Sequence, residues 1–477
     1  MHSDINHTIK QILADPVGCF SKQNPGLPER ELSGLASLWQ EFCLLKNTLQ
    51  DVDIQTKALS GKIGEFKKAG KDANDLILHM QAHSKEKAGI SQHLQKLETD
   101  ILSYFEFTHE PGCSQKPAAK KLRTHTYPDK TFNQQQISIN VFGDDVENWN
   151  AYVKTNPSAT IYHMAEWRQL IKNTFGHDGH YLYASGTNNK IKGVLPLIRL
   201  KSRLFGDFLV SMPYFNYGGA VADHPDIESK LMSAANDYAS ELNASHIEYR
   251  DDVARTDYPA RTDKVNMILP LPSCKQVLWE GFTPKLRAQI KRPQRENPVV
   301  KHGHVELLED FYRVFARNMR DLGTPVYGRS FFHHILMTFP EQSRILTISL
   351  GNKPVAAAFL IGYGETLEIP WASTVRAVNH LSINMLMYWE ILGFAIENNY
   401  SFFDFGRSSK KAGTYQFKKQ WGARPIQSYW HYWLSTGKTM PSLNPNNPKY
   451  RLAIEVWKRL PISVTKLVGP MIVKNLP

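Results

Sequence analysis

The order of predicted strands and helices constrains the fold of this chain more than any other feature, because the same order occurs twice. Each copy consists of a β-hairpin, a further strand, a helix and a closing strand. The first copy comprises residues 181–199, 208–213, 227–242 and 246–250. The second copy comprises residues 344–363, 367–372, 380–397 and 402–405. This repetition predicts an α+β fold with two tandem copies of one domain.

A heptad pattern of apolar residues runs through residues 33–107 and is interrupted near its middle. The apolar positions recur at alternating spacings of three and four, which is typical of a coiled-coil seam. Folding the chain at the interruption places the polar Thr56 opposite His83, and Val52 opposite Lys87. The sequence therefore predicts an antiparallel helical coiled-coil hairpin, with arms about 50 Å long at about 1.5 Å per residue.

Composition sets the remaining boundaries. Residues 137–282 and 283–450 hold the two predicted domain copies. The flanking segments are a tail at 1–32, a flexible linker at 108–136 and a basic amphipathic tail at 451–477. We expect this C-terminal tail either to lie against an anionic membrane surface or to form a short packed helix.

The formal net charge of +12 predicts polyanionic partners. Six basic residues and no acidic ones lie between Arg407 and Arg424. A second basic cluster comprises Lys285, Arg287, Lys291, Arg292, Arg295 and Lys301. Clustered Arg and Lys side chains are suited to phosphate groups, so we expect phosphate recognition here, with a solvated basic surface as the alternative.

The sequence also predicts where the protein is found. Its first residues lack the order of a signal peptide, and no apolar run approaches the roughly 18 residues of a membrane span. Four widely separated cysteines predict a reducing compartment without a disulfide framework. We therefore expect a cytoplasmic protein, with peripheral contact at the inner membrane left open by the basic tail. The histidines lack metal-ligand spacing, so we expect no metal site.

Four sequence runs carry a resemblance to a known family. They are MPYFNYGG at 212–219, LGTPVY at 322–327, FDFGRSS at 403–409 and GTYQFKKQWG at 413–422. On these runs, residues 137–435 resemble the FemAB family of acyltransferases. The closest resemblance is to FemAB-related proteins that accompany exopolysaccharide and exosortase (PEP-CTERM) systems. It implies two tandem acyltransferase domains of the GNAT type.

The resemblance implies a catalytic centre in the last two runs. In FemAB transferases a Phe-Lys pair lies at the aminoacyl-tRNA end, and this pair corresponds to Phe417 and Lys418. A lysine there holds the terminal phosphate or stabilises the oxyanion that develops at the ester carbonyl. Asp404 ends a predicted strand before a glycine, where it is suited to accept a proton from the attacking amine or to orient Arg407.

Further side chains complete the predicted site. The candidates for binding the donor and its phosphates are Arg407, Ser408, Phe417, Lys419, Arg287 and Lys291. The candidates for binding the acceptor are Tyr214, Asn216, Tyr327, Trp371 and Asn384. Glycines flank Arg407 and its serines, and such a loop can present backbone N–H groups to an anion.

The donor is the least determined part of this prediction. Neither half contains the Arg/Gln-x-x-Gly-x-Gly/Ala loop that binds coenzyme A, which favours aminoacyl-tRNA over acyl-CoA. The hairpin tip also resembles the tRNA-binding arm of seryl-tRNA synthetases. However, residues 33–107 carry nine lysines against ten acidic residues, and a near-neutral arm is a poor phosphate clamp. Self-association or spacing is therefore the alternative role for the hairpin.

Together these features predict an aminoacyl- or acyltransferase that acts on an amine of a cell-envelope precursor. The acyl donor is then a co-substrate, and no further cofactor is expected. One alternative is an acyl-CoA-dependent N-acyltransferase that modifies exopolysaccharide sugars. The other is a non-catalytic scaffold that binds sugar phosphates.

Overall fold

The structure is a computed structural model. It describes residues 29–69, 72–103, 125–128, 137–203, 205–410, 412–441 and 448–476. The chain divides into two compact units, a helical hairpin and a larger α+β body. Each unit is described by itself.

The hairpin consists of helix α1 (Glu29–Lys68) and helix α2 (Asn74–Ser103), which pack along each other. An ion pair joins Asp53 to Lys87, next to the position where Val52 was expected to face that lysine. A second pair joins Glu41 to His93 at 3.3 Å. From the first pair to the second, the residue on α1 lies earlier in the chain and the residue on α2 lies later. This order requires antiparallel helices, so the predicted hairpin is confirmed. Its detailed coiled-coil packing stays a prediction.

The first half of the α+β body contains nine strands, three α-helices and a short 3-10 helix (Ile161–His163) within its described residues. In chain order they are β1 (Ser138–Val141), α3 (Val146–Thr155), α4 (Glu166–Phe175), β2 (Asp178–Gly179), β3 (Leu182–Ser185), β4 (Ile191–Leu195), β5 (Ile198–Ser202), β6 (Gly206–Val210), β7 (Val221–Ala222), α5 (Pro225–Glu241), β8 (His246–Asp251) and β9 (Ala260–Arg261). Strands β1, β3, β4 and β7 form one sheet, and β2, β5, β6 and β8 run side by side in another.

The second half follows with a larger sheet. In chain order its elements are β10 (Lys264–Pro270), α6 (Lys275–Glu280), α7 (Pro284–Lys291), β11 (Val299–Gly303), α8 (Leu308–Leu322), α9 (Arg329–Thr338), β12 (Ser343–Leu350), β13 (Lys353–Tyr363), β14 (Thr366–Thr374), α10 (Ile383–Glu397), β15 (Phe402–Ser409), α11 (Gly413–Lys419), β16 (Arg424–Gln427) and β17 (Tyr429–Leu434). The sheet order is β11-β12-β13-β14-β15-β10-β16.

The two halves share strands across the predicted boundary at residue 282. Strand β10 precedes that boundary, yet it lies between β15 and β16 in the sheet of the second half. Strand β17 comes at the end of the second half, yet it pairs antiparallel with β8 of the first half. The halves are therefore interlocked through their sheets, and residue 282 stays a prediction as a domain boundary.

Strands β14 and β15 open a gap in the second sheet. They run parallel and pair only from Thr366 to Glu368 against Phe402 to Asp404, although both strands continue for several residues. Their ladder therefore ends at Glu368 and Asp404, and beyond this point each strand leaves backbone groups that do not pair with the other. Such a parting of parallel strands gives a ligand access to the middle of a sheet.

The side-chain alternation of β15 separates the core from the open gap. Phe403 and Phe405 lie in the core beneath α7 and α10. Asp404, between them in sequence, points to the opposite face because successive strand residues alternate. On that face α8 and α9 pack against β12 and β13, and the first half of the body covers the remainder.

Two helices follow the second half, α12 (Pro448–Arg459) and α13 (Ile462–Val473). They correspond to the predicted basic tail, and no described helix is both long and apolar enough to cross a membrane. Cys43 is free, but Cys274 is disulfide-bonded, so the expectation of unpaired cysteines is wrong for that residue.

Candidate active site

Two buried carboxylates face each other where β14 and β15 part. Glu368 and Asp404 are partners in the last pair of the ladder, and they are 7% and 2% exposed. A tyrosine from the first half donates to each of them. The Tyr162 hydroxyl lies 2.6 Å from Glu368 Oε2, and the Tyr217 hydroxyl lies 2.6 Å from Asp404 Oδ2. All four side chains line one cleft between the halves, with a volume of about 640 Å³ including its open mouth.

Two carboxylates this close cannot both ionise at ordinary cost. Burial, followed by the neighbouring charge of Asp404, raises the pKa of Glu368 to about 8. Hydrogen bonds from Tyr162 and Asn216 and the charge of Lys418 act in the opposite direction. Glu368 therefore holds a proton at neutral pH, and its pKa lies in the range that suits a general base.

The side chain of Lys418 is hydrogen-bonded to the backbone of β15, close to Asp404. Its Nζ donates to the carbonyl oxygens of Gly406 and Arg407, each at 3.0 Å, and the side chain is only 8% exposed. An ammonium has three protons, so one donor remains for a substrate. Burial, together with the charge of Arg407, lowers the pKa of Lys418 to about 8, although the charges of Asp404 and Glu368 oppose the shift.

Gly406 links these groups through its backbone. Its N–H donates to Asp404 Oδ1 at 2.6 Å, while its carbonyl accepts from Lys418. The residue has a φ of +74°, which side chains of L-residues rarely adopt. Glycine at this position therefore allows the strand to bend. In the bent strand the Gly406 N–H can donate to Asp404 while the Gly406 carbonyl accepts from Lys418.

Replacing Gly406 with alanine is expected to lower the free energy of unfolding by about 1–2 kcal/mol, the cost of a left-handed conformation. Space is not the reason, because an added Cβ would meet only Asn216 Nδ2, at 3.6 Å. Gly413→Ala is the matched control, since Gly413 begins α11 with no positive φ and nothing within 4 Å of an added Cβ. Urea unfolding measures both variants. Equal stability of Gly406→Ala and Gly413→Ala would contradict this account of the bend.

A strained loop delivers the groups of the first half to the site. Met212 and Tyr214 both have positive φ values, +61° and +73°, in the run that resembles the FemAB family. The guanidinium of Arg250 holds this loop, because its Nη1 donates to the carbonyls of Phe215 at 2.5 Å and of Met212 at 3.3 Å. Strain held in place by surrounding contacts is typical of functional sites.

Arg407, three residues after Asp404 on β15, lies beside Arg250 and Trp430. Its Cζ is 3.9 Å from the ring centroid of Trp430, and the Cζ of Arg250 is 4.3 Å from the same ring. Glu248 accepts two hydrogen bonds from Arg250, at 2.9 and 2.8 Å. Within the described residues Arg407 has no such acceptor, and burial followed by Arg250 lowers its pKa to about 10.

The other donor-site candidates are not all in one place. Phe417 packs against Tyr388, with ring centroids 5.1 Å apart, and Ser408 is buried in β15. Lys419 is exposed on α11. Arg287 and Lys291 lie on α7, which packs against the sheet face opposite to Glu368 and Asp404. The structure therefore brings Lys418 to the carboxylates and Arg407 close to Lys418, but it leaves the α7 cluster apart from them.

Three acceptor-site candidates form an aromatic wall. The ring of Tyr327 lies 5.8 Å from that of Tyr214 and 6.0 Å from that of Trp371. Asn216 differs from them, because its side chain reaches Glu368 directly. Asn384 lies in the first turn of α10, half-buried.

Sequence reasoning missed Glu368, Tyr162 and Trp430 as members of this site, and it gave Tyr217 no role. One signal for Glu368 was available, because it is an acid inside the apolar run Leu367–Ile369 of a predicted strand. An acid at such a position is buried and needs partners. Tyr162 and Trp430 carry no local signal, since their proximity depends on how the halves interlock.

Comparison with known proteins concerns the fold of the body. Residues 284–419 match the family described as the acetyltransferase (GNAT) domain. The crystal structure of FemX is similar with a TM-score of 0.50 and 14% identity, covering 66% of this chain and 100% of FemX. L-PGS from Bacillus licheniformis is similar with a TM-score of 0.40 and 12% identity, covering 73% of this chain and 99% of that protein. No protein of curated function matches the sequence.

Residues 284–419 therefore match a GNAT acyltransferase domain. The α+β body has the fold of FemX, so the expected α+β fold of GNAT-like domains, with a helical hairpin earlier in the chain, is confirmed. Within the described residues, no three His, Cys, Asp or Glu side chains come together in a way that would hold a metal ion.

Proposed function

We propose that this protein is a FemAB-like aminoacyltransferase that moves an activated acyl group onto an amine of a cell-envelope precursor. The buried pair of Glu368 and Asp404 beside Lys418 is the observation that carries the proposal. A carboxylate whose pKa is raised toward neutrality, close to a lysine whose pKa is lowered, provides a base and an acid at one strand end.

The chemistry divides between these groups. The amine of the acceptor attacks the ester carbonyl of the donor and forms a C–N bond. The amine proton passes to the carboxylate pair, with Glu368 as the acceptor in its ionised form. The free proton of Lys418 stabilises the oxyanion and is then available to the departing hydroxyl when the C–O bond breaks. The products are an amide and the free alcohol of the donor.

Arg407 supports a donor that carries phosphate. A guanidinium that, among the described residues, donates no hydrogen bond to a carboxylate is suited to a phosphate oxygen, which it can bind with two parallel hydrogen bonds. The segment from Arg407 to Arg424 contains six basic and no acidic residues, which extends that preference along the chain. An aminoacyl ester at the end of a tRNA contains both the phosphate and the activated carbonyl.

The aromatic wall supports an acceptor larger than a single amine. The rings of Tyr214, Tyr327 and Trp371 can pack against a sugar ring, while the Tyr214 hydroxyl is already bound to the Lys474 carbonyl at 2.7 Å. They border the loop that carries Asn216 and Tyr217 to the carboxylates. An amino sugar or a peptide amine of an envelope precursor matches such a wall.

The test incubates the full chain with a labelled aminoacyl-tRNA pool or with acyl-CoA, and with nucleotide-linked or lipid-linked amine acceptors. The proposal expects amide formation from the tRNA ester, and it expects this rate to fall strongly in Asp404→Asn. The control Glu365→Gln should leave the rate unchanged, because the Glu365 side chain, directly before β14, is exposed. Transfer from acyl-CoA alone would replace the proposal with the N-acyltransferase alternative, which the GNAT match favours. Transfer from neither donor would favour a non-catalytic scaffold.

A further inference from the structure

Helix α13 presents an apolar face to solvent. Val464, Leu467 and Met471 are 37%, 74% and 66% exposed, although they are large aliphatic side chains. Their spacing of three and four places them on one side of the helix. A contiguous stripe of this kind differs from the single exposed apolar residues that are normal on a protein surface.

The opposite face of the same helix is firmly attached to the body. Thr465 and Val473 are 1% and 6% exposed, and Gly469 packs so closely that an added Cβ would lie 2.8 Å from Val326 N. At the helix end the Lys474 carbonyl accepts from the Tyr214 hydroxyl at 2.7 Å. The stripe is therefore the outer side of a docked helix rather than a core face that has lost its partner.

Charged residues around the stripe are mostly basic. Residues 456–477 contain four basic side chains, Lys458, Arg459, Lys466 and Lys474, and no acidic one. Val456, at the end of the preceding helix α12, adds another exposed apolar side chain at 52%. Glu455 of α12 pairs with Lys458 at 2.8 Å, so Arg459, Lys466 and Lys474 are the cations that leave the surroundings of the stripe net positive. An apolar face in a net-positive surrounding complements a surface of apolar chains under anionic headgroups.

We infer that α13 docks this protein on an anionic lipid surface, with Val464, Leu467 and Met471 entering the boundary between headgroups and acyl chains. The basic residues of α12 and α13 contact the headgroups. The docked helix ends at Tyr214, in the loop that carries Asn216 and Tyr217, so the cleft is held at a fixed distance from the lipid surface. Docking does not depend on the proposed chemistry, whereas a lipid-linked acceptor rests on that proposed function.

Flotation of the full chain with lipid vesicles tests the docking. We expect it to float with phosphatidylcholine vesicles containing about one-third phosphatidylglycerol, weakly with pure phosphatidylcholine, and less as salt rises. The double variant Leu467→Gln/Met471→Gln should bind at least about tenfold more weakly, since two apolar side chains leave the lipid. The control Val141→Gln/Met337→Gln changes side chains that are 58% and 59% exposed elsewhere, and it should bind as the wild type does.

A second variant separates charge from apolar insertion. Lys458→Gln/Lys474→Gln removes two positive charges but leaves the backbone carbonyl of residue 474, which accepts from Tyr214, in place. This variant should bind the vesicles several-fold more weakly, and its binding should depend less on salt. Circular dichroism confirms folding of every variant. Wild-type protein that stays with the free fraction, or Leu467→Gln/Met471→Gln protein that floats as the wild type does, would overturn the docking. A third outcome is that the wild type does not float but self-associates, and that Leu467→Gln/Met471→Gln abolishes this self-association. That result would assign the stripe to a contact between copies and would also overturn the docking.

Discussion

Replacing Lys418 with methionine lowers the rate of acyl transfer by about 100-fold to 1000-fold, the usual effect of removing one oxyanion donor. Methionine keeps the length and apolar stem of lysine but cannot donate a hydrogen bond. The variant loses the proton that faces the substrate, and it also releases the carbonyls of Gly406 and Arg407 from their 3.0 Å contacts. Single-turnover transfer from the acyl donor to the amine measures the loss.

Lys419 provides the matched control for this experiment. It is the next residue on α11 and is exposed, so Lys419→Met removes the same charge without touching the strand end. We expect at most a few-fold weaker donor binding and no change in the rate of the chemical step. Thermal unfolding of both variants checks that the fold is intact. Equal rates for Lys418→Met and Lys419→Met would remove Lys418 from the chemistry.

Replacing Glu368 with glutamine has two opposite consequences. The transfer rate falls by about 100-fold or more, because an amide cannot accept the amine proton. The stability of the variant relative to the wild type, in contrast, increases as pH rises. In the wild type the folded state raises the pKa of Glu368 from 4.5 to about 8, so stability from this group is present at low pH and is lost between pH 4.5 and 8.

Glutamine resembles the protonated acid and does not titrate, so Glu368→Gln escapes that loss. The free energy of unfolding of Glu368→Gln minus that of the wild type should therefore rise by about 2–4 kcal/mol from pH 5 to pH 9. Urea unfolding at both pH values measures the gain, and Glu365→Gln is the control because its side chain is exposed. A gain that does not depend on pH would mean that Glu368 is already ionised at pH 5.

Local pattern was sufficient to predict several parts of this molecule. Heptad spacing identified both arms of the hairpin, because the seam follows from local sequence periodicity. The glycine after Asp404 and the Phe417-Lys418 pair on the next helix identified one side of the cleft, since strand, turn and helix follow each other in the chain. These features need no knowledge of tertiary contacts.

The remainder of the site depends on long-range pairing. Strands β10 and β17 each join the sheet of the other half, and sequence periodicity does not specify a partner strand. Trp430 therefore meets Arg407 only because β17 crosses to β8. The basic cluster at Arg287 and Lys291 illustrates the converse, since clustered charge indicates a basic surface but not the sheet face on which it lies.

The pH dependence of the single-turnover transfer rate tests the central claim most directly. With Glu368 and Lys418 both titrating near 8, the account predicts a bell-shaped profile with its maximum near pH 8. The rising limb requires ionised Glu368 and should disappear in Glu368→Gln with the same donor and acceptor. A rising limb that is unchanged in Glu368→Gln would contradict the claim that this carboxylate pair accepts the proton of the attacking amine.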